Sequence, residues 1–174
     1  SCLGMGALLS TGDLPGPVMP IGFPEFSLAG DSTKKKILVT YASNTGSTGG
    51  VAEDIGKSLA ETGRSVDVHP IQSVKHLGDY AAVVLGSPIN NGKWLAPAKE
   101  FVTANHEQLN HVPTAFFQVG LMANKQNESD QKLVDQFLAA ERALVSPVAE
   151  GRFVGVMFTA GYSGREKLGI HFFI

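Results

Sequence analysis

From Lys35 onward, short runs of consecutive apolar residues alternate with longer stretches in which apolar residues recur every three or four positions. Lys36-Ile37-Leu38-Val39-Thr40-Tyr41 is continuous and rich in branched side chains, the pattern of a parallel strand buried on both faces. Thr48 to Thr62 then places Val51, Ala52, Ile55 and Leu59 on one helical stripe, with Glu53, Asp54, Lys57 and Glu61 off it, and Gly63 marks the stop. Arg64 to Ile71 predicts a second strand, in which Pro70 suits a sheet edge. Ala81 to Gly86 predicts a third. Pro97 to Leu109 follows as a helix with Pro97 in its first turn and Phe101 inward. Thr114 to Val119 is the fourth strand, Asn127 to Leu144 a helix with Leu133, Phe137 and Leu138 inward, and Arg152 to Phe158 the fifth strand.

This alternation implies right-handed crossovers and an α/β fold, a doubly wound five-stranded parallel sheet. Ligands of such sheets bind beyond the carboxyl ends of the strands, where the strand order reverses. The loops after the first, third and fourth strands are therefore where chemistry is expected.

The first thirty residues follow a different pattern. Cys2-Leu3-Gly4-Met5-Gly6-Ala7-Leu8-Leu9 leads into a stretch holding Pro15, Pro17, Pro20 and Pro24, with no amphipathic period. The apolar piece is far shorter than the ~20 residues that cross a bilayer as a helix, and the prolines fix an extended linker. We divide the chain into an arm, residues 1–33, and a domain, residues 34–174. Two readings of the arm stand side by side. In one it packs against the domain through Phe23 and Phe26. In the other it is the remnant of an export signal, because Ser1-Cys2 followed by small apolar residues resembles a bacterial lipoprotein cleavage site. A lipoprotein Cys2 would place the protein at a membrane or outside the cell; otherwise a cytoplasmic location is expected.

A length of 174 residues is enough for one domain with a real core, and 17% charged residues excludes a disordered chain. The formal net charge is -2, and Lys34-Lys35-Lys36 is the longest basic run, so no nucleic-acid partner is expected. One cysteine permits no internal disulfide, and the five scattered histidines lack ligand spacing for a metal.

The loop after the first strand, Ser43-Asn44-Thr45-Gly46-Ser47-Thr48, gathers hydroxyls and a glycine immediately before a helix. Gly46 lets the backbone turn closely, and the helix start offers unpaired N–H groups and a positive dipole end, which together hold a phosphate without a basic side chain. An ordinary Ser/Thr helix cap would also satisfy this composition. A nucleotide P-loop is excluded because no lysine lies between Lys36 and Lys57. The dinucleotide fingerprint fails because the glycines are Gly46, Gly49 and Gly50, although Asp67 lies about where a ribose-binding acid would. A mononucleotide is preferred.

Ser43 to Thr48 matches the Ser/Thr-x-Thr-Gly-x-Thr loop of the flavodoxin superfamily, and from about Lys35 to Ile174 the chain resembles that superfamily. Gly86 to Trp94, Pro113 to Leu121 and the stretch from Gly161-Tyr162 are more similar to the flavodoxin-domain group that includes menaquinone-dependent protoporphyrinogen dehydrogenase. The resemblance implies strand order 2-1-3-4-5 and FMN as cofactor. It implies that Ser43, Asn44, Thr45, Gly46, Ser47 and Thr48 hold the phosphate. Ser87, Pro88, Ile89, Asn90, Asn91, Gly92, Lys93 and Trp94 would flank the isoalloxazine ring, with Trp94 able to cover a ring face unless it is a packing residue. Val119, Gly120, Leu121 and Met122 would line the pyrimidine edge. Asn90 stands where the protoporphyrinogen group tends to carry a basic residue. The fold normally closes with a helix beside the first strand; with the chain stopping at Ile174, that helix is expected to be missing or cut short.

The implied function is an FMN-binding oxidoreductase or electron-transfer protein, with a quinone or a redox protein as partner. The flavin would carry the chemistry, so no catalytic acid or base is assigned. A net charge of -2 argues against a freely diffusing acidic shuttle, and the apolar Leu168 to Ile174 stretch suits a membrane-linked role. The alternative is a flavodoxin-fold binding or regulatory module without flavin. A hydrolase is disfavoured, since Tyr162-Ser163-Gly164 lacks the nucleophile-elbow spacing.

Overall fold

The computed structural model describes residues 22–124 and 127–154. The expectations placed on Cys2, on the strand beyond Val154, on Gly161-Tyr162 and on Leu168 to Ile174 lie outside them. The elements run β1 (Phe26–Leu28), β2 (Lys36–Tyr41), α1 (Ser47–Ala60), β3 (Val66–Pro70), β4 (Tyr80–Asn90), β5 (Lys93–Trp94), α2 (Ala96–His111), β6 (Thr114–Val119), α3 (Glu128–Gln136), α4 (Ala139–Leu144) and β7 (Ala149–Phe153).

The sheet order is β1-β3-β2-β4-β6-β7, with β5 paired to β4. The five expected strands are β2, β3, β4, β6 and β7, all parallel and in the expected order 2-1-3-4-5, although β7 starts at Ala149, three residues before the expected Arg152. Two antiparallel strands enlarge the sheet beyond that expectation: β1 at the outer edge of β3 and β5 as a hairpin on β4. Pro70 is consistent with this, because β1 pairs only with Val66 to Val68 and leaves the outer side of the last two residues of β3 uncovered.

The runs of apolar residues become strands because both faces of the sheet are covered. Val39, Tyr41, Val66, Val68, Phe117 and Phe153 pack with Val51, Ala52 and Ile55 of α1 on one face. Leu38, Leu85, Phe116 and Trp94 pack with Ala98, Val102 and Leu109 of α2 and with Leu138 on the other. Burying such side chains contributes about 1.5–3 kcal/mol each.

The last part of the arm, as divided above, joins the domain: it supplies β1, which pairs with β3, and makes further contacts just before it. The Tyr41 hydroxyl donates to the Pro24 carbonyl at 3.0 Å, and a side chain at Gly49 would meet Pro24 Cδ at 2.8 Å. Phe26 packs against the core, whereas Phe23 is exposed.

The helix expected over Asn127 to Leu144 is two helices that break at Phe137–Leu138. Its buried residues are Val134, Leu138, Glu141 and Val145; Leu133, expected inward, is exposed. Positions 134, 138, 141 and 145 keep the three-to-four spacing, and Leu133 lies one residue off it.

Candidate functional site

The carboxyl end of β2 hands the chain to α1 through Ser43 to Gly46. Gly46 is the residue before the helix and adopts φ +82° and ψ -18°, a left-handed conformation that glycine takes without a Cβ penalty. No side chain caps α1, and no acidic residue occupies its first turn. The capping alternative therefore fails: the Ser43 hydroxyl accepts the Gly46 N–H at 2.9 Å, which closes the loop and leaves the first-turn N–H groups without a side-chain acceptor. Thr48 is fully buried and its Oγ1 has no partner. Ser43 and Ser47 are half-buried, and Asn44 and Thr45 are exposed. An open helix start, an orphaned hydroxyl and a first turn free of acids make a donor set suited to a phosphate dianion. These residues fit a phosphate group.

The segment after the third expected strand differs from the expected loop. β4 continues through Ser87 to Asn90 and pairs with β5, Ile89 opposite Trp94 and Asn90 opposite Lys93. Only Asn91 and Gly92 form the turn, at φ +50° and +72°. Two positive φ values at an Asn-Gly pair are the preference of a type I′ hairpin, so Asn91 does form a turn, one that joins two paired strands.

Within the hairpin the eight expected residues divide. Asn90, Asn91 and Lys93 are exposed at the tip, and Pro88, Ile89 and Gly92 are half-buried. Ser87 is fully buried; its hydroxyl accepts the Leu95 N–H at 3.0 Å and donates to the Pro88 carbonyl. Trp94 is 3% exposed and meets Phe116 edge-on at 5.1 Å between centroids, so its ring belongs to the core and offers no free face. Both were expected at the cofactor, and both lie within the packing that supports the hairpin.

After β6 the four expected residues divide likewise. Val119 is buried in the core on the α1 side, and the Gly120 N–H donates to the Phe153 carbonyl at 2.9 Å. Gly120, Leu121 and Met122 line a cavity of about 210 Å³ together with Ile89, Asn91 and Gly92. The structure thus gathers the hairpin tip and the turn after β6 around one hollow, and none of Ser43 to Thr48 lines it. Gln118 also lines it, is 2% exposed, and has neither amide atom paired. Sequence reasoning missed Gln118; a glutamine inside an apolar strand was the available signal.

Asp67 is not a ribose ligand. It accepts from Lys36 Nζ at 3.1 Å and from the Tyr80 hydroxyl at 3.0 Å. Burial opposes its ionisation, but hydrogen bonds from Ser27, Lys36 and Tyr80 outweigh that and hold the carboxyl below its ordinary range. Burial, and then the bond to Asp67, push the Tyr80 phenol up to about 12. Among the described residues, no group of His, Cys, Asp and Glu could hold a metal ion, and no helix is long and apolar enough to cross a membrane.

A parallel sheet in this order, with a glycine-led loop entering the helix after its central strand, defines a flavodoxin-type α/β domain. Residues 38–173 match the family model described as Flavodoxin domain, and the chain belongs to that family. Over 147 residues it is 30% identical to a Leishmania major protein named protoporphyrinogen IX dehydrogenase (quinone), covering 81% of this chain and 63% of that one. An Escherichia coli K12 protein of the same name is 30% identical over 92 residues, 52% of this chain and 51% of that one. The chain thus spans between about half and two thirds of these relatives. Among solved structures, the two-electron reduced Megasphaera elsdenii flavodoxin superposes with a TM-score of 0.53 at 16% identity, covering 68% of this chain and 84% of that one. An archaeal flavodoxin gives 0.51 at 24% identity, with 68% and 82% covered. These two likenesses concern the fold.

Proposed function

We propose that this chain binds FMN and serves as a flavin-dependent oxidoreductase or electron-transfer protein, with a quinone or a redox protein as its partner. The observation that carries the reading is the uncapped start of α1 beside Gly46, where Ser43 shapes the loop and the buried Thr48 hydroxyl lacks a partner. In this reading Ser43 to Thr48 hold the phosphate through backbone N–H and hydroxyl donors. The Asn90 to Gly92 tip and the Gly120 to Met122 turn border the ring. Bound FMN supplies one- and two-electron redox chemistry. The protein's part is to bind and orient it, and the buried Ser87 and Trp94 keep the hairpin in place from beneath. The quinone link rests on the names of the two relatives. A membrane link through the N-terminal arm is proposed from the sequence alone.

FMN titrated onto the purified chain and followed by flavin fluorescence and visible absorbance tests the reading. One equivalent should bind, and riboflavin, which lacks the phosphate, should bind at least 100-fold more weakly. A chain that takes up no FMN is instead the flavin-free module.

A further inference from the structure

The loop Ser43 to Thr48 is gripped at both of its ends by one residue of the arm. β1 runs antiparallel to β3, with Phe26 opposite Val68, so the residues ahead of Phe26 lie towards the carboxyl ends of the parallel strands. The loop stands at that same end of the sheet. Pro24 meets two residues there. Its carbonyl accepts the hydroxyl of the fully buried Tyr41 at 3.0 Å, and its Cδ lies 2.8 Å from where a Cβ on Gly49 would stand. That Cβ would also lie 3.1 Å from Tyr41 Cε2 and 3.2 Å from its hydroxyl, so the three residues close on one another. Tyr41 is the last residue of β2 and Gly49 the third of α1, so together they flank the loop.

The loop has little of its own to keep it in shape. Ser43 accepts from Gly46 within it, and α1 then starts without a side-chain cap. A loop ordered in advance spares its ligand the entropy of ordering it. The ring of Pro24 fixes its own backbone and presents a rigid edge to Gly49. The arm is itself tied down along β3. Glu25 accepts from His69 Nδ1 at 3.2 Å and from the Ser73 hydroxyl at 3.0 Å, and Phe26 packs against the core on the α1 side. Pro24 and β1 precede residues 38–173, the span that matches the family model, so this grip is an addition to what that model covers.

We propose that the end of the arm is a positioning element for the phosphate loop. Pro24, through Tyr41 and Gly49, fixes both ends of Ser43 to Thr48 and so sets the donors in place before a phosphate arrives. Docking of the arm and binding at the loop then favour each other by the same factor. The inference rests on the phosphate reading above for its ligand, but the grip itself does not require FMN.

The test combines amide hydrogen exchange with FMN titration, on the unmodified chain, Tyr41→Phe, Pro24→Ala and the double variant. Tyr41→Phe deletes the hydroxyl and keeps the ring; Pro24→Ala deletes the ring edge facing Gly49. Without ligand, each should speed exchange at residues 43–50 by at least about three-fold, the scale of one net hydrogen bond. Exchange in β6 should be unchanged, and circular dichroism should confirm the fold. Each should weaken FMN by a similar factor and leave riboflavin, which lacks the phosphate, unaffected. The double variant should lose less than the product of the single losses, since both changes break one contact. In the unmodified chain FMN should slow exchange at residues 26–28. Unchanged exchange at residues 43–50 in both variants overturns the proposal. So does equal weakening of FMN and riboflavin, which marks a general loss of structure. A chain that takes up no FMN refutes the flavin reading, and exchange at residues 43–50 then decides for or against the positioning role.

Discussion

Ser43 accepts the N–H of Gly46 at 2.9 Å, and this bond, rather than a side-chain cap, closes the turn into α1. The hydroxyl that could have capped the helix instead shapes the loop in front of it. The helix start is left without a side-chain acceptor, the arrangement the proposed phosphate site needs.

Gly46→Ala should therefore have two effects. A Cβ in the left-handed region costs about 1–2 kcal/mol, which chemical denaturation will show as a lower midpoint. FMN affinity should fall at least ten-fold, because the loop can no longer present its donors together. Unchanged FMN affinity would detach this loop from the phosphate.

Trp94 gives the opposite expectation. Its ring lies edge-on to Phe116 in the core, so Trp94→Ala should cost about 3–5 kcal/mol of stability. The milder Trp94→Phe should lower the melting temperature and leave the FMN dissociation constant within two-fold. A large loss of FMN binding by a stable Trp94→Phe protein would return the residue to the cofactor.

Gly86 is a packing requirement. A Cβ there would lie 2.1 Å from Cζ of Phe117, whose ring crosses the strand at that point. Gly86→Ala should destabilise the domain by about 1–3 kcal/mol or more, the usual range for overpacking. Adding Phe117→Leu should recover part of the loss in a double-mutant cycle, since the two residues are in contact.

Asp67 sets an acid limit. Its folded pKa lies below the ordinary carboxylate value, so the stability it contributes is present above that value and is lost as pH falls through the folded pKa. Tyr80, raised to about 12, contributes stability that is present below the ordinary phenol value of about 10 and is lost as pH rises from there through 12. Asp67→Asn should destabilise the domain by about 1–3 kcal/mol at neutral pH by disturbing a buried bonded group. Urea unfolding between pH 2 and 7 should then show a flatter acid limb than the unmodified chain.

The elements that were legible in the sequence are those whose pattern repeats. Lys36 to Tyr41 and Thr114 to Val119 were read with the observed bounds, because strands buried on both faces must be continuously apolar. The break at Phe137–Leu138 was not legible, since the stripe Val134, Leu138, Glu141, Val145 continues across it. The hairpin tip was legible in Asn91-Gly92 but was read as open loop, because its second strand is only two residues long.

The alternation of strands and helices, the order of the parallel strands (through the resemblance) and the hydroxyl-rich loop after the first strand were all legible along the chain. These are local matters: period, turn chemistry and the residue types a helix start accepts. What surrounds each of those residues followed from the folded packing. It drew Trp94 and Ser87 into the support of the hairpin and engaged Asp67 with Lys36 and Tyr80. It also left Thr48 and Gln118 buried with polar atoms unpaired. Burial and pairing depend on neighbours distant in the chain, and spacing along the chain does not supply them.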